Sequence, residues 1–245
     1  MRAFVAGATG YTGRNVVERL AAAGDTVVAH IRPSSRSLET WKPRFEAMGA
    51  TVDTTPWEPL ALTAALARHT PTHVYALLGT TASRQKKHEP SATYEHVDRD
   101  LTLMLLQAAS AAPSRPVFVY LSSIGADKPR NNRYLLARAE VERALDHGVL
   151  PWIAARPSFI TGPDRDEDRL GERVGAVLGD GALAVLGLFG ARTLRDRYSS
   201  LTGDQLAQSL IGVGRDPEAR DVVVHTELLR RYVDSHSAVA SSSGK

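Results

Sequence analysis

The sequence predicts an α/β fold built on one doubly wound parallel sheet, with a small C-terminal cap. Three observations carry that expectation. Short apolar runs alternate with helix-period stretches from the first residue onward. The connections between them are brief and punctuated by glycine and proline. The runs are almost continuously apolar, as strands covered on both faces are. Strand–helix–strand repetition with right-handed crossovers then puts helices on both faces of the sheet.

Each element can be read in order. Arg2 to Ala6 is a first strand ending in glycines. Asn15 to Ala23 sets Val16, Val17, Leu20 and Ala23 on one helical face, and Gly24 stops it. Thr26 to Ile31 reads as a strand, Leu38 to Met48 as a helix closed by Gly49, and Thr51 to Thr54 as a strand. A helix over Leu60 to Arg68 and a strand over His73 to Leu78 lead into Gly79. Tyr94 to Ala112 reads as one long helix, and Pro116 to Leu121 is the most β-like run. A helix from Tyr134 to His147 and a strand from Trp152 to Arg156, stopped by Pro157, complete the regular part. Beyond it come a charged stretch (Asp164 to Arg173), a Gly/Ala/Leu-rich stretch (Gly175 to Ala191), an amphipathic helix (Thr202 to Val213) and a late strand (Val222 to His225) followed by a helix. The expected organisation is a single domain over 1–236, with 160–215 as a partial substrate cap and 237–245 as a flexible tail.

Composition narrows the function. The 245 residues include 43% hydrophobic and 23% charged residues, an ordinary balance for a globular domain. A net charge of +3 without a dense basic block argues against a nucleic-acid groove. The absence of cysteine excludes disulfides, thiolate catalysis and cysteine zinc sites. The eight histidines show no metal-ligand spacing, and Asp164, Asp166, Glu167 and Asp168 alternate with arginines as a solvated face does, so no metal is expected. No run reaches membrane-spanning length, and a chain opening on a strand gives cytoplasmic location as the expectation. The partner implied is a small-molecule substrate, with the protein a monomer or homodimer.

Between the first strand and the first helix lies Gly7-Ala8-Thr9-Gly10-Tyr11-Thr12-Gly13. Gly7 permits a tight turn, Gly10 lets backbone approach a pyrophosphate, and Gly13 lets the helix pack on the strand. The amides around Thr9, Tyr11 and Thr12 then face the phosphates from a helix N-terminus. This is the dinucleotide fingerprint of a Rossmann domain in its proper strand–helix context. An NAD-specific site places a carboxylate after the second strand. Here that segment is His30-Ile31-Arg32-Pro33-Ser34-Ser35-Arg36, without a carboxylate. Arg32 and Arg36 can grip a 2′-phosphate bidentately while Ser35 donates a hydroxyl bond, so NADP(H) is the expected cofactor.

Together with Gly79-Thr80-Thr81, Val97-Asp98-Arg99-Asp100, Leu121-Ser122-Ser123, Gly125-Ala126-Asp127-Lys128 and Tyr134, the turn resembles the atypical short-chain dehydrogenase/reductases. Within these the chain looks most like the Tat-interacting-protein oxidoreductase group, over about residues 3 to 160. The resemblance implies a tyrosine, Tyr134, that gives a proton to a carbonyl as hydride arrives from the nicotinamide. It implies that Ser122 or Ser123 polarises that carbonyl, and that residue 138 lowers the tyrosine pKa and grips the ribose. It also implies that Gly79, Thr80 and Thr81 approach the cofactor, and that Pro157, Ser158 and Ile160 frame the nicotinamide.

Three places depart from the family pattern. The stretch after the third strand is Thr54-Thr55-Pro56-Trp57-Glu58, where relatives often place an Asp near the adenine. Two single positions also differ. Residue 138 is Arg where the pattern has Lys, and residue 98 is Asp where many relatives carry Asn. An arginine keeps the charge but is poor in a proton relay. The leading expectation is an NADP(H)-dependent oxidoreductase acting on a small carbonyl or alcohol. The rival is a non-catalytic NADP(H)-binding redox sensor, and a weaker third is an epimerase using the cofactor transiently.

Overall fold

The computed structural model describes residues 1–80, 93–158, 160–161 and 200–233. Seven parallel strands form one sheet: β1 (Arg2–Ala6), β2 (Thr26–His30), β3 (Thr51–Asp53), β4 (His73–Ala76), β5 (Val117–Leu121), β6 (Trp152–Arg156) and β9 (Val222–His225). Their order across it is β3-β2-β1-β4-β5-β6-β9. A second, two-stranded parallel sheet joins β7 (Ile160–Thr161) to β8 (Leu201–Thr202). Nothing in the residue pattern foretells it, because strands of two residues carry no periodicity.

Helices cover both faces, as the continuous apolar strands require. On one side lie α1 (Tyr11–Ala22), α2 (Leu38–Ala47) and α6 (Gly203–Arg215). Val16, Val17, Leu20, Phe45, Leu206, Leu210 and Val213 pack there against Ala3, Val5, Ala29, Val119 and Ile153. On the other lie α3 (Pro59–His69), α4 (Leu101–Ala111) and α5 (Arg133–Asp146). Leu62, Leu66, Leu105, Val141 and Leu145 meet Phe4, Val74, Phe118 and Ala154. Neighbouring residues of one strand (Phe4 and Val5, Phe118 and Val119) therefore feed opposite cores, the period-two consequence of the pleat. Each fully buried side chain of this size contributes roughly 1.5–3 kcal/mol.

The segment Tyr94 to Ala112, expected as one helix, is two structures in series. Tyr94–Asp100 is a π-helix capped by the Thr93 hydroxyl, which accepts from the His96 amide, and α4 follows at Leu101. A π turn shifts the side-chain register of a helix and is common at functional sites. Here it carries Asp98, wholly buried, to the ends of the central strands.

The strand order reverses between β1 and β4, where Ala6 pairs with Ala76. In open parallel sheets, ligands bind at the carboxyl edge of such a switch point. The two loops leaving it are Gly7–Gly13 and the one that starts at Leu77. Helix α6, opened by a reciprocal Thr202–Gln205 capping box, packs across α1. Gly203 sits so close to the Tyr11 ring that a Cβ there would stand 2.4 Å from it. Arg19 of α1 also holds Asp204 of α6 through two 2.6 Å bonds.

Most of the expected partial cap, including the charged and Gly/Ala/Leu-rich stretches, lies outside the described residues, as does the 237–245 tail. No described helix is long and apolar enough to cross a membrane.

Candidate active site

The glycine turn has the geometry its spacing predicts. Gly7 has φ of +80°, and a Cβ there would lie 2.6 Å from the Leu77 carbonyl oxygen of the neighbouring β4 loop. A Cβ on Gly13 would come within 2.1 Å of the Gly7 oxygen. The Gly10 amide closes the turn on the Gly7 oxygen at 3.0 Å, and the first helical bond runs from Arg14 to Gly10. The amides of Tyr11, Thr12 and Gly13 are left as the first-turn donors with no intrahelical partner. Thr12 is buried and Thr9 half-buried beside them. The macrodipole adds partial positive charge, so the turn fits a diphosphate.

At the end of β2, Ser35 and Arg32 form a tight turn, the Ser35 amide bonding the Arg32 oxygen at 3.0 Å. The Ser35 hydroxyl accepts from the Ser37 amide at 3.3 Å, just before α2. Arg32 and Arg36 are both exposed. The structure adds a third cation, Arg14, that motif spacing does not single out. Its guanidinium lies 5.4 Å from the Trp41 ring centroid and 5.5 Å from that of Tyr11. Arg14 is thus braced between α1 and α2, on the helix that the glycine turn opens. An arginine directly after the third glycine is a visible signal, but nothing in the sequence shows that Trp41 meets it. His30, at the same strand end, is buried and donates to the Thr55 oxygen at 2.8 Å, with Trp57 edge-on at 5.0 Å.

The switch-point loop after β4 is tied by the two residues that depart from the family pattern. Arg138 and Asp98 form a buried ion pair, Nη2 to carboxylate at 2.5 Å. The other Asp98 oxygen accepts the Thr80 amide at 2.9 Å. Arg138 also donates to the Leu121 oxygen (2.7 Å), the Tyr120 hydroxyl (3.2 Å) and the Leu78 oxygen (3.2 Å). One guanidinium therefore joins the ends of β4 and β5 to the π turn. Burial works against the charge on Arg138, but Tyr120, Tyr134 and Asp98 outweigh it and hold its pKa well above the ordinary arginine value. Two polar atoms here have no hydrogen-bond partner although buried, Arg138 Nε and Thr80 Oγ1. They give the edge buried polar groups of the kind a nucleotide ribose would satisfy.

Tyr134 opens α5 and is buried, its ring 5.3 Å edge-on from Tyr94 and 5.1 Å from the Arg138 guanidinium carbon. Asn132 caps this helix by accepting the Leu135 amide at 3.1 Å. The cap and the i, i+4 spacing place Tyr134, Arg138 and Glu142 along one buried stripe.

The two serines after β5 have different partners. Ser122 donates to Glu142 at 2.5 Å, and Glu142 is gripped by Arg156 through bonds of 2.9 and 2.5 Å. Hydrogen bonding to Glu142 is the main cause that raises the Arg156 pKa. The Ser123 hydroxyl, in contrast, bonds to no described residue. Sequence alone does not single out Glu142, because a glutamate on an amphipathic helix reads as solvent-facing. A cleft of about 380 Å³ opens beside this network, lined among others by Asp127, Arg143, Asp146 and Trp152. It includes no residue of the glycine turn, nor Tyr134. Beyond β6, Pro157 and Ser158 are buried, the Ser158 amide donates to the Thr226 hydroxyl at 2.9 Å, and Ile160 enters the small sheet. Thr81 lies outside the described residues. Among the described residues no three His, Asp or Glu come together as a metal site.

Comparison with known proteins agrees with the fold. The short-chain dehydrogenase from Burkholderia cenocepacia J2315, solved with NADP, is 17% identical with a TM-score of 0.59, covering 93% of this chain and 97% of its own. The oxidoreductase ylbE from Lactococcus lactis is 13% identical with a TM-score of 0.63, covering 97% of each chain. UDP-glucose 4-epimerase from Thermotoga maritima, solved with UDP-glucose, is 16% identical with a TM-score of 0.64, covering 97% of this chain and 83% of its own. No curated protein matches in sequence. The model of the NAD dependent epimerase/dehydratase family matches residues 3–177, which reach from β1 to β7 and take in both sides of the switch point, and the chain belongs to that family.

Proposed function

We propose that the protein is an NADP(H)-dependent oxidoreductase that moves hydride between the cofactor and a small carbonyl or alcohol. The observation that carries this reading is the division of labour between the two serines. Ser122 is bound to Glu142, whereas Ser123 keeps a hydroxyl with no described partner at the carboxyl edge of the sheet. Ser123 holds the carbonyl oxygen and Tyr134 supplies the proton. When bound, the nicotinamide supplies the hydride. Tyr11, Thr12 and Gly13 hold the diphosphate through their amides, and Thr80 and the unpaired Arg138 Nε–H face the ribose. Arg32 and Arg36, with Ser35, take the 2′-phosphate, and this favours NADP(H) over NAD(H). The Ser-Ser-x-Gly-Ala-Asp-Lys stretch supports the finer likeness to the Tat-interacting-protein oxidoreductases. The test is Tyr134→Phe assayed on whichever carbonyl of a broad panel the protein reduces. Loss of at least 100-fold in kcat with nucleotide affinity kept is expected, and unchanged turnover refutes the mechanism.

One observation favours a second reading, a nucleotide-binding redox sensor. The four Nη bonds of Arg138 all go to protein groups, so the cation is spent on architecture. A sensor binds NADPH, consumes none across the panel, and changes its affinity for a partner with the redox state of the nucleotide.

A further inference from the structure

We propose that Arg14, held in place by Trp41, is a specificity-determining residue for the nucleotide: its guanidinium takes the 2′-phosphate of the adenosine ribose from the α1 side, across from the loop that follows β2. This rests on the reading of the glycine turn as the diphosphate site and of NADP(H) as the preferred cofactor, and it adds a residue which that reading does not require.

The placement follows from strand pairing. β1 and β2 are parallel neighbours with Ala6 opposite His30, so the glycine turn and the segment from Ile31 to Ser37 leave the sheet side by side. The first leads into α1 at Tyr11 and the second into α2 at Leu38. Arg14 and Trp41 each stand on the first turn of their helix, and the Arg14 guanidinium lies 5.4 Å from the Trp41 ring centroid. The cation therefore sits where the two first turns meet. A dinucleotide whose diphosphate rests on the α1 amides lays its adenosine ribose toward the end of β2, and the 2′ substituent is read at this corner.

Among the described residues the Arg14 guanidinium has ring contacts, with Tyr11 at 5.5 Å and Trp41 at 5.4 Å, and neither a hydrogen bond nor an ion pair. Arg19, further along the same helix, is by contrast paired with Asp204. Stacking engages the flat face of a guanidinium and leaves its in-plane N–H groups for an anion. No carboxylate stands between Gly7 and Asn15 or between Ile31 and Leu38. Arg44 lies over the same indole at 5.1 Å, and Arg36 is exposed in the loop after β2, so the corner is cationic.

A guanidinium fork matches two oxygens of a phosphate monoester at once, a match that the ribose hydroxyl of NAD(H) does not offer. Contact with two rings has also removed rotamer freedom that a fully solvated arginine gives up only on binding, so the ordering cost is met before the ligand arrives. A cation that merely tied α1 to α2 would contribute to stability and leave the choice of nucleotide unchanged.

The test needs no substrate. The full chain is titrated by calorimetry with 2′,5′-ADP and with 5′-ADP, in buffer without phosphate or sulfate, alongside Arg14→Gln, Arg14→Lys, Trp41→Leu and Arg14→Gln/Trp41→Leu. Arg14→Gln is expected to lower the ratio of the two affinities at least about threefold while 5′-ADP affinity stays within about twofold. Arg14→Lys recovers only part of the ratio, because an ammonium presents no planar fork. Trp41→Leu lowers the ratio in the parent chain and adds nothing in the Arg14→Gln background, because it acts through Arg14. An unchanged ratio in Arg14→Gln overturns the proposal. So does an equal loss for both nucleotides, which assigns the cation to the diphosphate. If Trp41→Leu fails to fold by circular dichroism, the two Arg14 variants decide. A ratio near one in the unmodified chain defeats the NADP(H) reading and this inference with it. A high ratio that survives Arg14→Gln defeats this inference alone and leaves that reading to Arg32 and Arg36.

Discussion

Replacing Arg138 by Met tests whether the charges at residues 98 and 138 act as one unit. The substitution keeps an unbranched side chain but removes a guanidinium that makes four hydrogen bonds. It leaves Asp98, with 0% of its surface exposed, without the cation that balances its carboxylate. An uncompensated buried charge of this kind costs about 3–5 kcal/mol, a large part of a typical stability of about 5–15 kcal/mol. At about 2–4 °C per kcal/mol for a chain of this size, the melting temperature falls by roughly 6–20 °C. Removing the orphaned charge as well, in Asp98→Asn/Arg138→Met, replaces an ion pair by neutral groups and recovers most of that loss. The assay is urea unfolding of all four members of the cycle by circular dichroism at pH 7. A coupling energy of at least about 2 kcal/mol is expected. Additive single effects, with coupling below about 0.5 kcal/mol, refute the idea that the two residues form a unit.

Other expectations follow from the same geometry. Gly13→Val drives a side chain into the Gly7 oxygen, only 2.1 Å from where a Cβ on residue 13 would stand, so nucleotide binding measured by calorimetry falls at least 100-fold. The proposed NADP(H) preference is read as the ratio of 2′,5′-ADP to 5′-ADP affinity. Arg32→Gln/Arg36→Gln should bring it near unity, and Arg14→Gln should lower it about threefold or more if the Trp41-braced cation shares the phosphate. Ser123→Ala should cost at least about tenfold in kcat, while Ser122→Ala, which removes one bond from a Glu142 carboxylate that Arg156 still holds through two, should lower the melting temperature more than kcat. Asp53 gives a pH prediction. Burial pushes its carboxyl up, but bonds from Thr55 and His69 outweigh it and hold the group at about 2. A depressed carboxylate contributes stability above its unfolded value near pH 4, and loses it as pH falls through about 2. Melts of Asp53→Asn between pH 2 and 5 should therefore lack much of the acid-side decline seen in the parent chain.

The parallel sheet was legible because its strands are buried on both faces and closed by glycine or proline, so period and punctuation agree from Arg2 to Arg156. The glycine turn was legible for a similar reason, since Gly7 and Gly13 are fixed by steric contacts that no other residue satisfies. The π turn at Tyr94–Asp100 was not, because the residues that favour a π-helix also favour an α-helix and only tertiary contacts choose between them. The pairing of Asp98 with Arg138 spans 40 residues and had no local signature. Its trace in the sequence was two departures of opposite charge, which taken one at a time look like two defects. The different surroundings of Ser122 and Ser123 were not readable from their order alone. They separate because Glu142 reaches the first and not the second.

The packing of Gly203 on Tyr11 bears on how the protein comes to exist in the cell. Residues of the glycine turn leave the ribosome well before the helix that packs on Tyr11, which arrives nearly two hundred residues later, with Arg19 and Asp204 separated by 185 positions. Closing so long a loop is slow and entropically costly. Until it closes, the apolar face of α1 lacks Leu206 and Leu210 and stays open to solvent. A nascent chain released before α6 would carry the complete glycine motif and still bind nucleotide poorly. Nucleotide capture thereby becomes a report that synthesis has run to the far side of the fold.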